Sequence, residues 1–397
     1  MSASELPSAG LTRATKPATN SRSLLEVVAR KHGVSPFRQM ADMWKLKGGA
    51  NQIVAAEYYE YQLYLPEMTP AQKKEFVGEK GSFALNLRLA PPNFTHQRNF
   101  LADKVALTTM MGALGLPTTT IQACFHPYRG FGQTLTLRDA AAIRAFLTGP
   151  ARYPLFGKPI RGAGSFGSVS IRRIEGEVAH LANGATIPLA SLCDQIAGCT
   201  EFGYVFQDAV IQHPQVAEIC GSAGVSTIRA VTVNDNDRPR MLYALWKLPA
   251  AGAMSDNFWQ KGSLIALIDH ATGQVQKVRY GTGPDTQWVQ DHPVTGARLA
   301  GITLPGWDKV VTLAESLHAV MPDNGILGWD IALTPEGARL IECNENTGHG
   351  LYQLASGRGV LNADFAPTFA AVEARNARLL AAISARKAAH AKAKALA

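Results

Sequence analysis

Three glycines behind a lysine, and two carboxylates with a carboxamide far downstream, are the residues of this chain whose types and spacing could do chemistry. The first set is Lys158-Pro-Ile-Arg161-Gly162-Ala-Gly164-Ser165-Phe-Gly167-Ser-Val169, a G-x-G-x-x-G run. Several nucleotide-binding architectures and many plain turns share such a run. A dinucleotide site needs a helix opening on the third glycine, so that its N-terminal amides hold a pyrophosphate. Here Gly167 precedes SVSIRRI, which alternates with period two and predicts a strand. The loop therefore joins a hairpin, whose bare amides can approach phosphate oxygens that any Cβ would push away. Protein kinases carry the same letters, but they place a lysine on the strand after the loop and need H-R-D and D-F-G later. This chain has Arg172 and Arg173 on that strand and neither later motif, and Lys158 stands on the entering strand.

The second set lies in GWDIALTPEGARLIECNENTGHG, residues 328–350. DIAL and ARLIEC read as strands of a hairpin turning at TPEG, where Pro335 and Gly337 suit a tight turn. Asp330 falls near the start of one strand and Glu342 near the end of the other. Glu342 and Asn344, two residues apart, face the same side. Two carboxylates and a carboxamide offer hard oxygen ligands suited to Mg²⁺, which keeps some waters and takes other ligands from phosphates. Acidic residues at hairpin ends are also common solvated features, so the order of the two sets carries more than either alone.

The elements that must position these groups are legible in outline. Leu24, Leu25, Val28 and Ala29 form one helical face, and Phe37, Met40, Met43 and Trp44 another. EYYEYQLYLP, with Tyr58, Tyr59, Tyr61 and Tyr64, reads as packing between these helices. ADKVALTTMMGALGLP predicts a helix stopped by Gly115 and Pro117, and TLRDAAAIRAFLTG another over 136–149, with Thr136 as N-cap and Asp139 in its first turn. YPLFGKPI, SVSIRRI, YVFQDAVI, STIRAVTV, MLYALWKL, GSLIALID and ARLIEC alternate or run apolar like strands. Helices flanking such a run imply an α+β fold with a largely antiparallel sheet. Past Phe365 an Ala-rich helix ends in basic residues and reads as a solvated tail.

Composition excludes several classes. Of 397 residues 46% are hydrophobic and 18% charged, the balance of a globular chain with real cores. The net charge of +8 would suggest nucleic acid, but residues 1–31 carry five Lys or Arg against Glu5 and Glu26. Residues 375–397 carry six basic residues and no acid, so the body is close to neutral and no nucleic-acid role is expected. Five cysteines with no C-x-x-C pair argue against structural zinc or a disulfide framework. No secretory signal and no apolar run of membrane-spanning length is evident, which makes the cytoplasm the default compartment.

Taken together, these segments resemble the ATP-grasp superfamily, and are most similar to the family described as sugar-transfer associated. The resemblance runs from roughly Ser35 to Leu361 and includes SPFRQMADMWKLKGG, VFQDAVIQHPQVAEI, VSTIRAVTV, SDNFWQKGSLIALIDHATG and LYQLASGRGV. It implies an ATP-grasp fold with mixed or antiparallel sheets, a small glycine-loop lid and a helical N-terminal region. The implied arrangement is an arm over 1–22, a helical region over 23–120, a lid subdomain over 121–208, a metal-binding subdomain over 209–371 and a basic tail over 372–397. By resemblance Lys104 and Lys158 contact ATP phosphates, Arg161 to Ser168 form the lid, and Gln207, Asp208 and Val210 lie in the adenine hinge. Asp208 stands where many relatives have Glu. Arg229 would face the transferring phosphate. Asp256 and Asn257 would shape the acceptor or metal site or form a plain turn, with Lys261 a further cation nearby. Asn346, an exposed His349 and Gln353 would line the loop after the metal ligands.

The expected reaction is ATP-dependent ligation of a carboxylate and an amine through an acyl phosphate, using ATP and one or two Mg²⁺, in sugar-conjugate or polysaccharide assembly. A kinase acting on a hydroxyl and a non-catalytic ATP-binding partner of a biosynthetic complex are the alternatives. The basic tail is the candidate for peripheral contacts.

Overall fold

The computed structural model describes residues 10–12, 21–90, 99–162 and 164–396. The arm expected over 1–22 falls outside these residues apart from 10–12, 21 and 22. Five helices open the described chain: α1 (Ser21–His32), α2 (Pro36–Leu46), α3 (Ala55–Glu60), α4 (Pro70–Lys74) and α5 (Glu79–Leu89). Ser35 starts α2 by accepting a hydrogen bond from the Arg38 amide, and Pro36 supplies a preset first turn. Tyr58, Tyr59 and Tyr64 are fully buried with ring centroids 5.4 to 6.4 Å apart, so the tyrosine cluster packs between helices as read from sequence. The orientation of α2 corrects that reading. Phe37 (81% exposed), Trp44 (80%) and Met40 (47%) point to solvent, while Gln39 and Leu46 turn inward and Gln39 donates to the Val34 carbonyl at 2.8 Å.

A first seven-stranded sheet is built from β1 (Ile121–Phe125), β2 (Leu135–Leu137), β3 (Leu155–Pro159), β4 (Val169–Glu175), β5 (Val178–Leu181), β6 (Thr186–Pro188) and β7 (Tyr204–Asp208). Its order is β2-β1-β7-β3-β4-β5-β6, antiparallel except for β1 with β2. Helix α6 (Lys104–Ala113) precedes it and is capped by the Asp103 carboxylate, which accepts from the Ala106 amide at 3.0 Å. Helices α7 (Ala140–Thr148) and α8 (Leu189–Ala197) cover one face through Ile143, Phe146, Leu192 and Ile196. The start of α7 corrects the sequence expectation. Thr136 lies in β2, paired with Cys124 of β1, and Asp139 is the N-cap, its carboxylate accepting from the Ala142 amide at 2.8 Å. The pull of strand pairing on LTL outweighed a weak threonine cap signal.

The second sheet contains β8 (Thr227–Val233), β9 (Arg240–Leu248), β10 (Leu264–Ile268), β11 (Val275–Tyr280), β12 (Gln287–Val289), β13 (Ile326–Thr334) and β14 (Gly337–Asn344). All pairs are antiparallel, in the order β12-β11-β10-β9-β8-β13-β14. Helix α9 (Pro214–Cys220) leads into it, α10 (Trp307–Ala319) precedes β13, and α11 (Gly350–Ser356) and α12 (Ala366–Leu396) follow β14. Every residue of β8 and β13 is buried because the sheet has cores on both faces. Trp246, Trp329 and Ile228 pack with Val310, Leu313 and Leu317 of α10 on one side. Val231, Tyr243 and Leu245 pack with the N-terminal tyrosines and with Tyr352, Phe369 and Val372 on the other. That double burial explains why these strands read as apolar runs rather than as alternation. The β13–β14 turn closes at Thr334 and Gly337 as expected, but β13 begins at Ile326, so Asp330 sits mid-strand opposite Glu342 with a register shift beside it. Residues 381–391 of α12 are all exposed. Among the described residues no helix is long and apolar enough to cross a membrane.

Candidate functional site

The two sheets meet across a cleft of about 250 Å³. Its roof is the β3–β4 hairpin. Gly162, Gly164 and Gly167 adopt φ values of 120°, 69° and 75°, which L side chains rarely reach, so this path requires glycine whatever it covers. The loop is held on both sides. Asn257 Nδ2 donates to the Gly164 carbonyl at 2.9 Å and Lys104 Nζ to the Gly162 carbonyl at 3.0 Å. From outside, Thr12 donates to the Ser168 carbonyl at 2.9 Å and accepts from the Gly167 amide at 2.8 Å.

Lys158, next to last in β3, spans the cleft. Its side chain is buried and Nζ donates to the Ile341 carbonyl of β14 at 3.2 Å, beside Glu342. Burial pulls this ammonium down to about 8, against the upward pull of Glu342 and with the help of Lys104. Lys104 Nζ, at the start of α6, lies 3.8 Å from Glu342 Oε2. Lysines from two separate elements thus converge on one carboxylate.

Below them is a buried charge array. Asp330 accepts from Arg229 Nε at 2.5 Å and Nη2 at 3.1 Å, because β8 and β13 place these residues directly opposite each other. Lys247 of β9 lies 2.8 Å from both Asp330 and Asp256, and Asp256 also accepts from the Thr227 hydroxyl. Burial alone would raise the Asp330 carboxyl. Arg229, then Lys247, overturn this and hold it well below the usual carboxylate range. Desolvation opposes the charge on Lys247 too, but Asp256 and Asp330 keep its ammonium above the ordinary value.

Lys104, Lys158, Arg161, Gly162, Ser165, Gln207, Val210, Asp330 and Glu342 all line the cleft. Gly164 and Gly167 shape the roof, and Arg229 stands behind Asp330. Asn344 is half-buried two residues beyond Glu342, its Nδ2 enclosed without a hydrogen-bond partner. Asp208 is not brought in. It points away from the cleft and accepts from Arg152 at 2.9 Å and Gln122 at 2.6 Å, since alternation on β7 gives the cleft to Gln207. His349 is fully buried rather than exposed, bonded to Tyr243 at 2.9 Å and Asn86 at 3.0 Å, and burial, then Arg229, lowers it to about 3. Gln353 is buried against the Val77 backbone, Asn346 accepts from Asn86, and Lys261 is exposed away from the cleft lining.

Lys247 escaped sequence reading, although a lysine inside MLYALWKL was a signal that a cation sits in an otherwise apolar strand. Ser255, whose buried Oγ has no partner, also lines the cleft, as do Phe156, Met254 and Ile341, which give it apolar walls. Among the described residues no group of three or more His, Cys, Asp or Glu is placed to hold a metal ion. The acidic side chains that line the cleft are Asp256, Asp330 and Glu342, the first two tied to Lys247.

A glycine-roofed hairpin on one sheet, facing an acid-bearing hairpin on a second sheet across a lysine-lined cleft, is the arrangement of an ATP-grasp fold. Residues 89–366 match the family described as sugar-transfer associated ATP-grasp, and the chain belongs to that family. No curated protein matches the sequence. Among solved structures, the chain is similar to the D-alanine-D-alanine ligase from Coxiella burnetii at 10% identity and TM-score 0.42, covering 73% of this chain and 62% of that one. It is similar to the VanG D-Ala:D-Ser ligase from Enterococcus faecalis at 12% and 0.41, covering 69% and 61%. The L-amino acid ligase from Bacillus licheniformis matches at 14% and 0.38, covering 71% and 50%. The chain therefore spans less than two thirds of each, and residue roles rest on its own geometry.

Proposed function

We propose that the protein is an ATP-dependent ligase that activates a carboxylate as an acyl phosphate and passes it to an amine. The observation that carries this is the convergence of Lys104 and Lys158 on Glu342 within one cleft, under a glycine roof and above Asp330. In this reading the lysines neutralise the β and γ phosphates of ATP, the roof glycines bring amides to phosphate oxygens, and Phe156, Met254 and Ile341 enclose the adenine beside Gln207 and Val210.

The residues fit magnesium. Glu342 faces the cleft with Lys104 at 3.8 Å and Lys158 beside it, and Asn344, whose Nδ2 has no partner, would turn its oxygen towards a cation. Asp330 has both oxygens engaged, so it would join a metal only by sharing them with Arg229 and Lys247. When bound, Mg²⁺ would supply charge neutralisation on the β and γ oxygens. Arg229 and Lys247 hold Asp330 ionised and fixed in place.

The step balances without a protein nucleophile. A carboxylate oxygen attacks the γ phosphorus, the bond from that phosphorus to the β–γ bridging oxygen breaks, and ADP leaves. The amine nitrogen then attacks the acyl carbon, inorganic phosphate leaves, and the nitrogen loses a proton. A sugar-conjugate setting follows from the family description alone. The test is an ATP-consumption screen over paired carboxylates and amines with Glu342→Ala as control. ADP and phosphate release that needs both substrates is expected. A stable phosphate ester on a hydroxyl acceptor would make the protein a kinase instead.

A further inference from the structure

The outward side of α2 is unusual in composition. Phe37, Met40, Ala41 and Trp44 recur at intervals of three and four, so they form one stripe, and all four are exposed. The opposite stripe, Gln39, Asp42, Met43 and Leu46, is the one that docks on the body. Asp42 there accepts from Lys73 at 2.6 Å. Arg38 and Lys45, seven apart, flank the exposed stripe on one side, and Lys47 flanks it on the other. These three and the nearby Arg30 are exposed and have no ion-pair partner among the described residues. The neighbouring α1 adds a partly exposed Val27.

We propose that this face of α2 docks on a membrane surface bearing anionic headgroups. Two large aromatics about four-fifths exposed lose water contact by entering the interface, where an aromatic ring sits favourably. The flanking ammonium and guanidinium groups, on long stems, reach the headgroup phosphates from either side. A second copy of the chain is the poorer occupant. A two-fold interface would bring the basic flanks formed by Arg38, Lys45 and Lys47 against the basic flanks of the second copy, like charge on like charge. An acidic bilayer complements the whole pattern at once. The helix lies on the surface and does not span it, consistent with its eleven residues. Substituting Phe37 and Trp44 should leave folding intact, since both are about four-fifths exposed.

The experiment is co-sedimentation of the full chain with vesicles of phosphatidylcholine alone, and of phosphatidylcholine with an equal part of phosphatidylglycerol. Retention is expected on the mixed vesicles only, weakening as salt rises. Phe37→Ser with Trp44→Ser, and separately Arg38→Glu with Lys45→Glu, should each weaken it about tenfold or more. Arg386→Glu with Lys387→Glu, on the exposed end of α12, should leave it unchanged. Thermal melts equal to the parent chain would establish that the variants fold. The proposal is overturned by no retention on mixed vesicles, or by retention that the α2 substitutions leave intact. Loss only with the α12 pair, or a dimer in solution that Phe37→Ser with Trp44→Ser dissociates, would also overturn it.

Discussion

An ammonium held near 8 changes charge inside the ordinary working range of an enzyme, and Lys158 is such a group. Its cationic form is present below that value and is lost as pH rises through it. If it binds phosphate, kcat/KM for ATP falls above pH about 8. Lys158→Arg should move that limb upward, and Lys158→Met should lower kcat/KM roughly a hundredfold across the range, as loss of one aimed charge does. A pH profile of the three proteins checks this. Lys247→Met tests the array below. It strands Asp256 beside Asp330 in a buried place, and should cost roughly 3 kcal/mol or more of stability in a denaturant titration. Lys158, Glu342 and the roof glycines were legible because their spacing has a chemical logic. Lys247 was not, since a strand lysine ordinarily snorkels to water and only the pairing of β8, β9 and β13 brings it to Asp330 and Asp256. The flanking glycines of His349 suggested an exposed turn, whereas α5 and β9 close over the ring through Asn86 and Tyr243.

At the scale of elements, the roof hairpin depends on contacts that lie outside it. Asn257 ties the Gly164 carbonyl to the connection between β9 and β10, so Asn257→Ala should raise KM for ATP several-fold while melting near the parent temperature. Gly164→Ala forces a side chain into φ 69° and should weaken ATP binding further, at a strain of about 1 kcal/mol. Measuring KM and melting temperature together separates the two from general unfolding. Hairpins were readable where turn residues and strand pattern agree, as at Thr334 to Gly337. Helix α2 was readable as a helix but not in its orientation, because both of its faces carry apolar residues and only the inward Gln39 bonds to Val34 and Tyr59 decide which one docks.

Over the whole molecule, strand order was the least legible feature. β7 enters between β1 and β3, and β8 between β9 and β13, pairings that no local pattern encodes. Burial has a global consequence as well. His318 and His349 are enclosed and neutral, pulled by burial from 6.5 to about 4 and about 3 respectively. The unfolded chain binds protons at these sites sooner, so stability is full above pH 6.5 and drains as pH falls towards those lower values, by up to roughly 3 kcal/mol for His318 and roughly 5 for His349. Melting temperature should fall steadily between pH 6.5 and 4, and a flat profile would contradict this. The claim on which the site rests is that both sheets grip one triphosphate. Titration calorimetry of ATP into the parent chain, Lys158→Met and Glu342→Ala tests it most directly. Magnesium-dependent binding of one ATP per chain, lost in Lys158→Met and stripped of its magnesium dependence in Glu342→Ala, is the expected result. Unchanged binding in both variants would contradict it.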